Sequence, residues 1–177
     1  AAVEALDGID ILFNNAGLAL GRVPFTESTA DVEETVLHTN VDGVLRITRL
    51  CLPHVRDGGH IVFMGSIAGR QAYPNGASYI ASKFAVRGFT EALRHELETS
   101  SVSVGSIYPA GVRTGIIGRG RFAAAIDPAV AERAAAAQAA MYHTEPADAA
   151  RRIVEATVRR RPRTMVGREA RLGAGAV

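Results

Sequence analysis

The chain has 177 residues, enough for one ordinary domain with a buried core. Hydrophobic residues make up 47% and charged residues 21%, as in globular rather than disordered chains. No apolar run approaches the about 18 residues of a membrane span, the first residues lack the pattern of a signal peptide, and the single cysteine, Cys51, excludes an internal disulfide. A reducing, cytoplasmic setting is therefore the expectation. The net charge of +2 is unevenly spread. Residues 1–111 carry 8 Lys/Arg against 12 Asp/Glu, and residues 112–177 carry 12 against 6. The excess peaks at "RRRPR", Arg159 to Arg163. It reads as a solvated helix end, because cations favour helix C-termini and no aromatics are interleaved for base stacking. Neither a nucleic-acid nor a membrane partner is expected.

"IDILFNNAG" is an apolar run closed by a polar, Gly-ended turn, which predicts a buried strand over Ile9–Phe13. A long helix follows, about Thr29 to Val55, with Val36, Leu37, Val41, Val44, Leu45 and Thr48 inward. "DGGHIVFMGS" predicts a second strand near His60 to Met64. The next helix runs from about Ala77 to Thr99, with Ile80, Phe84, Phe89, Leu93 and Leu97 in the core. "VSVGSIYP" is a third strand ended by Pro109, and the glycine-rich "AGVRTGIIGRG" reads as a loop. "PAVAERAAAAQAAMY" has high helix propensity but a bland face, and the segment from Gly115 to Tyr142 reads as a lid. "TEPADAARRIVEATVRR" opens with a capping threonine and a proline in the first turn, so it is a helix, and "RTMVG" is a short final strand. Strands alternating with long helices imply crossover connections and a doubly wound parallel α/β sheet. Ligands of such sheets sit beyond the C-terminal strand ends, where "NNAG", "GS" and "PAGVRT" all fall.

Tyr79 and Lys83 stand four residues apart in "ASYIASKF", so a phenol and an ammonium share a helix face. A free phenol titrates near about 10, and a neighbouring cation favours its ionised form, which makes the pair an acid/base device. The blander reading is a packed tyrosine beside a lysine that reaches out to water. Ser66 follows a strand, 13 residues before Tyr79, and places a hydroxyl at the ligand-facing edge. Asn40 lies between Val36 and Val44 in an i, i+4 series on an apolar face, where its amide needs partners. It marks a core bond, a kink or a water site. The five histidines, His38, His54, His60, His95 and His143, show no metal-binding spacing, and no metal is expected.

Taken in order, "NNAG", the helical "NVDG", "GS" after a strand, "YIASK" and "PAGVRT" resemble the short-chain dehydrogenase/reductases, from about Leu6 to Gly167. The resemblance implies a Rossmann-like domain spanning 1–177, using NAD or NADP to interconvert a carbonyl and a secondary alcohol. It implies Tyr79 as general acid/base. Lys83 would bind the nicotinamide ribose and lower the Tyr79 pKa, Ser66 would orient the substrate oxygen, and Asn40 would hold a relay water. Asn14, Ala16 and Gly17 would border the cofactor's adenosine side, with Asn14 also bracing the central strands. Val112 and Thr114 would contact the nicotinamide carboxamide. A homodimer or homotetramer, built through the helices Thr29–Val55 and Ala77–Thr99, is implied as well.

Two departures stand against the family pattern. Pro109-Ala110 replaces the usual Pro-Gly, so either Ala110 is strained or the glycine role has moved to Gly111. The Gly-rich turn that cradles the pyrophosphate has no counterpart before Ile9, and "TGIIGRG" has the wrong spacing to replace it. The expectation is an N-terminally incomplete domain that by itself binds neither cofactor measurably. Two rivals remain at this point. One is a non-catalytic remnant of such an enzyme. The other is a serine hydrolase using Ser66, Asp127 and His143, although "GSIAG" is not the G-x-S-x-G elbow.

Overall fold

The computed structural model of the chain describes residues 7–20, 23–114, 136, 142–167 and 170. The greater part of the expected Ala-rich helix, the expected lid, and Asp127 lie outside the described residues. Among the described residues, four parallel strands form one sheet in the order β1 (Ile9–Asn14), β2 (Val55–Met64), β3 (Ser103–Pro109), β4 (Arg163–Val166). Each connection between neighbouring strands carries helix. The first contains α1 (Ala30–Leu37) and α2 (Gly43–Cys51), the second α3 (Ala77–Glu96) and the third α4 (Pro146–Val158).

Alternation along β2 distributes the core over two faces. Ile61 and Phe63 pack with Val44 of α2, Val86 and Leu93 of α3, and Val104 of β3. Val62 packs on the opposite face with Ile107, Val166 and the small Ala149 and Ala156 of α4. Helices thus cover both faces, as a doubly wound parallel sheet requires.

The first long helix is two helices joined by a π turn, His38–Asp42. Residues four apart drift by about 40° around an ordinary α-helix. The wide turn lets the sequence series Val36, Asn40, Val44, Thr48 stay buried across the join. Leu37, expected inward, is 42% exposed. The helix also stops earlier than expected. Regular helix ends at Cys51, Leu52–His54 form a 3-10 turn around Pro53, and the chain from Val55 already belongs to β2. In α3 the buried stripe follows Ile80, Lys83, Val86, Thr90 and Leu93, so Phe84 falls beside it and is 40% exposed. Thr144 does not cap α4. Its backbone is committed one step earlier, to Gly111 and Arg113, and the helix begins after Glu145 with Pro146 in its first turn.

Arg94 fastens this end of the fold. Its Nε donates to the Val104 carbonyl (3.0 Å), and Nη2 donates to Ser106 Oγ (3.1 Å) and the Pro162 carbonyl (2.8 Å). It also pairs with Glu91, which in turn binds Arg163. Burial by itself would raise the Glu91 pKa, but the hydrogen bond from Arg163 and the two guanidinium charges outweigh it and hold the carboxyl below its ordinary value. Arg94→Ala removes three charge-assisted bonds from α3 to β3 and the entry to β4, and a fourth, to Glu91, within α3. It should cost about 2–3 kcal/mol, a fall in Tm of roughly 5–10 °C. Arg159→Ala breaks only the exposed pair with Glu155 and should cost less than about 1 kcal/mol. Thermal melts of the two variants check the contrast.

Candidate active site

A cavity of about 540 Å³ opens beyond the C-terminal ends of β1, β2 and β3. Its lining includes Asn15, Ala16 and Gly17 after β1, Met64, Gly65 and Ser66 at the end of β2, and Pro109, Gly111, Val112 and Thr114 at the end of β3. Tyr79 and Lys83 reach it from the first turns of α3, and Pro146, Ala149, Ala150 and Ile153 of α4 close an apolar side with Tyr142. Of the nine residues proposed from sequence, seven line this cavity: Ala16, Gly17, Ser66, Tyr79, Lys83, Val112 and Thr114.

Lys83 does not reach out to water. It is 6% exposed, and its Nζ donates to the Met64 carbonyl at 3.0 Å. Burial lowers its pKa to about 8. The ammonium lies 5.9 Å from the centre of the Tyr79 ring. Gly17 allows the close approach of the loop after β1: a Cβ there would stand 3.3 Å from Lys83 Nζ and 3.4 Å from Asn40 Oδ1.

Asn40 stands behind the cavity wall, 1% exposed, inside the π turn. Its Oδ1 accepts the Leu18 N–H at 2.7 Å, and its Nδ2 donates to the Leu18 carbonyl and to Ser82 Oγ, both at 2.9 Å. Both amide N–H groups and one lone pair of the oxygen are thus taken by protein groups. Asn14 is likewise turned away from the cavity. It is buried and donates to Thr48 Oγ1 at 3.3 Å, tying β1 to α2. Ser66 Oγ accepts the Ala68 N–H at 3.1 Å as the cap of a short 3-10 turn, Ile67–Gly69, which leaves its own proton for a ligand.

The loop after β3 answers the doubt over Ala110. The positive φ lies at Gly111 (60°), while Ala110 is buried and donates its N–H to the Val166 carbonyl at 2.8 Å. Val112 pairs with Thr144, and Arg113 bonds to Glu145, so the loop after β3 is fastened to the start of α4. Sequence reasoning missed the α4 wall and Tyr142. Ala149, Ala150 and Ile153 look like an ordinary helix face, and only the packing of α4 beside β3 and β4 turns it to the cavity. His143 is exposed and does not line the cavity, so nothing joins it to Ser66 there. Among the described residues no group of three or more His, Cys, Asp or Glu is placed to hold a metal ion.

Lys83 is the only lysine in the chain, so its titration can be read directly. Amine-specific labelling at this residue should show a midpoint near pH 8, where an exposed lysine gives about 10.4. The lowered value also means that the unfolded chain holds this proton up to higher pH. Stability from this group therefore rises between the folded and unfolded values, and Lys83→Met should flatten that rise in denaturation curves taken above pH 8.

Comparison with known proteins agrees with this geometry. The family profile of the short chain dehydrogenases matches residues 1–121. The chain is 40% identical over 108 residues to an NADP-dependent 3-hydroxy acid dehydrogenase of Schizosaccharomyces pombe, covering 60% of this chain and 42% of the relative. It is 44% identical over 103 residues to the NADP-dependent 3-hydroxy acid dehydrogenase YdfG of Escherichia coli, covering 57% and 42%. A short chain dehydrogenase/reductase of Burkholderia phymatum, solved in complex with NAD, superposes with a TM-score of 0.81 at 31% identity, over 98% of this chain and 66% of that one. The chain spans about half the length of the curated relatives it matches. With the family profile covering most of the chain, and with a parallel sheet whose strand ends gather the serine, tyrosine and lysine, the chain belongs to the short-chain dehydrogenase/reductase family.

Proposed function

We propose that the protein interconverts a carbonyl and a secondary alcohol with a nicotinamide cofactor, Tyr79 serving as the general acid/base. One observation carries this reading. Ser66, Tyr79 and Lys83 line a single cavity, with a buried ammonium beside the phenol. At pH 7, below its pKa of about 8, Lys83 is mostly protonated. Its charge beside the ring favours the ionised form of the Tyr79 phenol, which suits the phenol oxygen to carry a proton. The spare Ser66 proton suits a carbonyl or alkoxide oxygen held against the phenol. Both N–H groups of Asn40's amide are taken by Leu18 and Ser82, so a relay water in this region would rest on the second lone pair of its Oδ1 or on main-chain groups.

The cavity's donor set fits the nicotinamide half of a dinucleotide. Lys83 suits ribose hydroxyls, Val112 and Thr114 suit the carboxamide end, and Asn15, Ala16 and Gly17 offer a low wall without large side chains. When bound, such a cofactor supplies or accepts the hydride, and the protein supplies position and protons. The relatives named NADP-dependent and the neighbour solved with NAD support this class of cofactor without choosing between the two. The same names make 3-hydroxy acids and their oxo forms the first substrates to assay, within a panel of ketones and alcohols run with both cofactors.

Tyr79→Phe should lower kcat by about 10²-fold or more, with circular dichroism and Tm unchanged. In the full-length protein, Lys83→Ala should lower turnover and weaken reduced-cofactor binding together, read by cofactor fluorescence. Full turnover in Tyr79→Phe would overturn the assignment. The exposed Ile47, Leu50 and Phe84 on α2 and α3 support a homo-oligomer through these helices. Light scattering at micromolar concentration should show a dimer or tetramer, and a monomer would sink that part of the reading.

A further inference from the structure

Several helix residues bury a hydroxyl, and they use it in different ways. Thr48, Thr90 and Thr157 each donate to the carbonyl four residues back in their own helix. Ser82 donates three residues back, to the carbonyl of Tyr79 at 2.7 Å, and it also accepts Asn40 Nδ2 from the π turn at 2.9 Å. Both Ser82 and Asn40 are at or below 1% exposure, so water cannot replace either bond.

We propose that Ser82 is a positioning residue for Tyr79, linking the main chain of the proton carrier through Asn40 to the loop after β1. The proposal rests on the reading of Tyr79 as acid/base. The hydrogen-bond directions leave one solution. Ser82 has one proton, and the Tyr79 carbonyl can only accept it. The Ser82 oxygen must then take an N–H from Asn40, which turns Asn40 Oδ1 toward the Leu18 N–H. Leu18 follows Gly17, the residue that lies against Lys83 Nζ. A single hydroxyl therefore ties the cavity wall after β1, the π turn and the first turn of α3 to one another. Thr48 makes a similar link from Asn14, but its bond ends on Val44, away from the cavity. Without the Ser82 oxygen one Asn40 N–H is buried without a partner, the π turn relaxes, and the Tyr79 main chain loses its tie to the opposite wall. A misplacement of about 1 Å in such a site costs about 10² in rate.

The test compares Ser82→Ala, Ser82→Cys and Thr90→Val in the full-length protein. Thr90 is a fitting control because it is fully buried in the same helix and its hydroxyl bonds only within that helix. Ser82→Ala should lower kcat about tenfold or more while cofactor KM stays within about twofold. It should also speed amide exchange in the segments around Leu18 and Asn40 about tenfold. Ser82→Cys, with a weak donor and acceptor, should recover part of both effects. Thr90→Val should lower Tm without either change. If Ser82→Ala behaves like Thr90→Val in kcat and in exchange, the residue is only structural and the proposal falls. Tyr79→Phe in the same assay separates the two readings. Retained turnover there overturns the acid/base role and the catalytic consequence, while faster exchange at Leu18 and Asn40 in Ser82→Ala still supports the link itself.

Discussion

Lys83 keeps an ammonium at 6% exposure, and the structure around the cavity follows from what that group requires. Withdrawal from water costs free energy, which appears as a pKa lowered to about 8, and the Met64 carbonyl at the end of β2 recovers part of it. The nitrogen can stand there only if the loop after β1 comes close without a side chain in the way, which Gly17 provides. It must also stay near the Tyr79 ring, and their spacing of four residues on α3 does that. A lysine that reached the solvent would leave the phenol without a nearby charge.

The second constraint is polar as well. Asn40 places an amide inside an apolar helix face, and every hydrogen-bonding group it has is matched by Leu18 and Ser82. The π turn that contains it keeps Val36, Asn40, Val44 and Thr48 buried together across the join. A wide turn leaves weaker backbone geometry than an α-helix, and such turns are common at functional sites. The amide bonds to flanking elements stabilise it here. The cavity wall, the helix irregularity and the buried polar cluster are consequently one arrangement.

The positions of the strands were legible because their apolar runs are short and closed by Gly, Asn or Pro, as in Ile9–Asn14 and Ser103–Pro109, but Ile9–Phe13, expected buried, is the edge strand of the described sheet and leaves Ile11 49% exposed. The three polar clusters after them fell at one edge for the same reason, since parallel strands share a C-terminal end. Helix boundaries were less legible. The π turn at His38–Asp42 shows in the sequence only as the polar Asn40 within a spacing of four, which also suits a core bond or a water site, and the early change to β2 shows only as Pro53. Phe84 and Leu37 were placed inward because hydrophobicity does not report the phase of a helix once several apolar residues crowd adjacent faces.

Residue type and spacing alone placed a phenol beside an ammonium on one helix face and a hydroxyl at the end of a strand, and the resemblance to the short-chain dehydrogenase/reductases implied that the three share a site. Tertiary structure decided the rest. It turned Asn14 toward Thr48, committed the Asn40 amide to Leu18 and Ser82, and settled the choice between Ala110 and Gly111 by setting the positive φ at Gly111. It also brought the Ala149, Ala150 and Ile153 face of α4 to the cavity as its apolar side. Each of these depends on which groups are left unsatisfied when separate elements pack together. That is a property of contacts between residues far apart in the chain, and no local pattern encodes it.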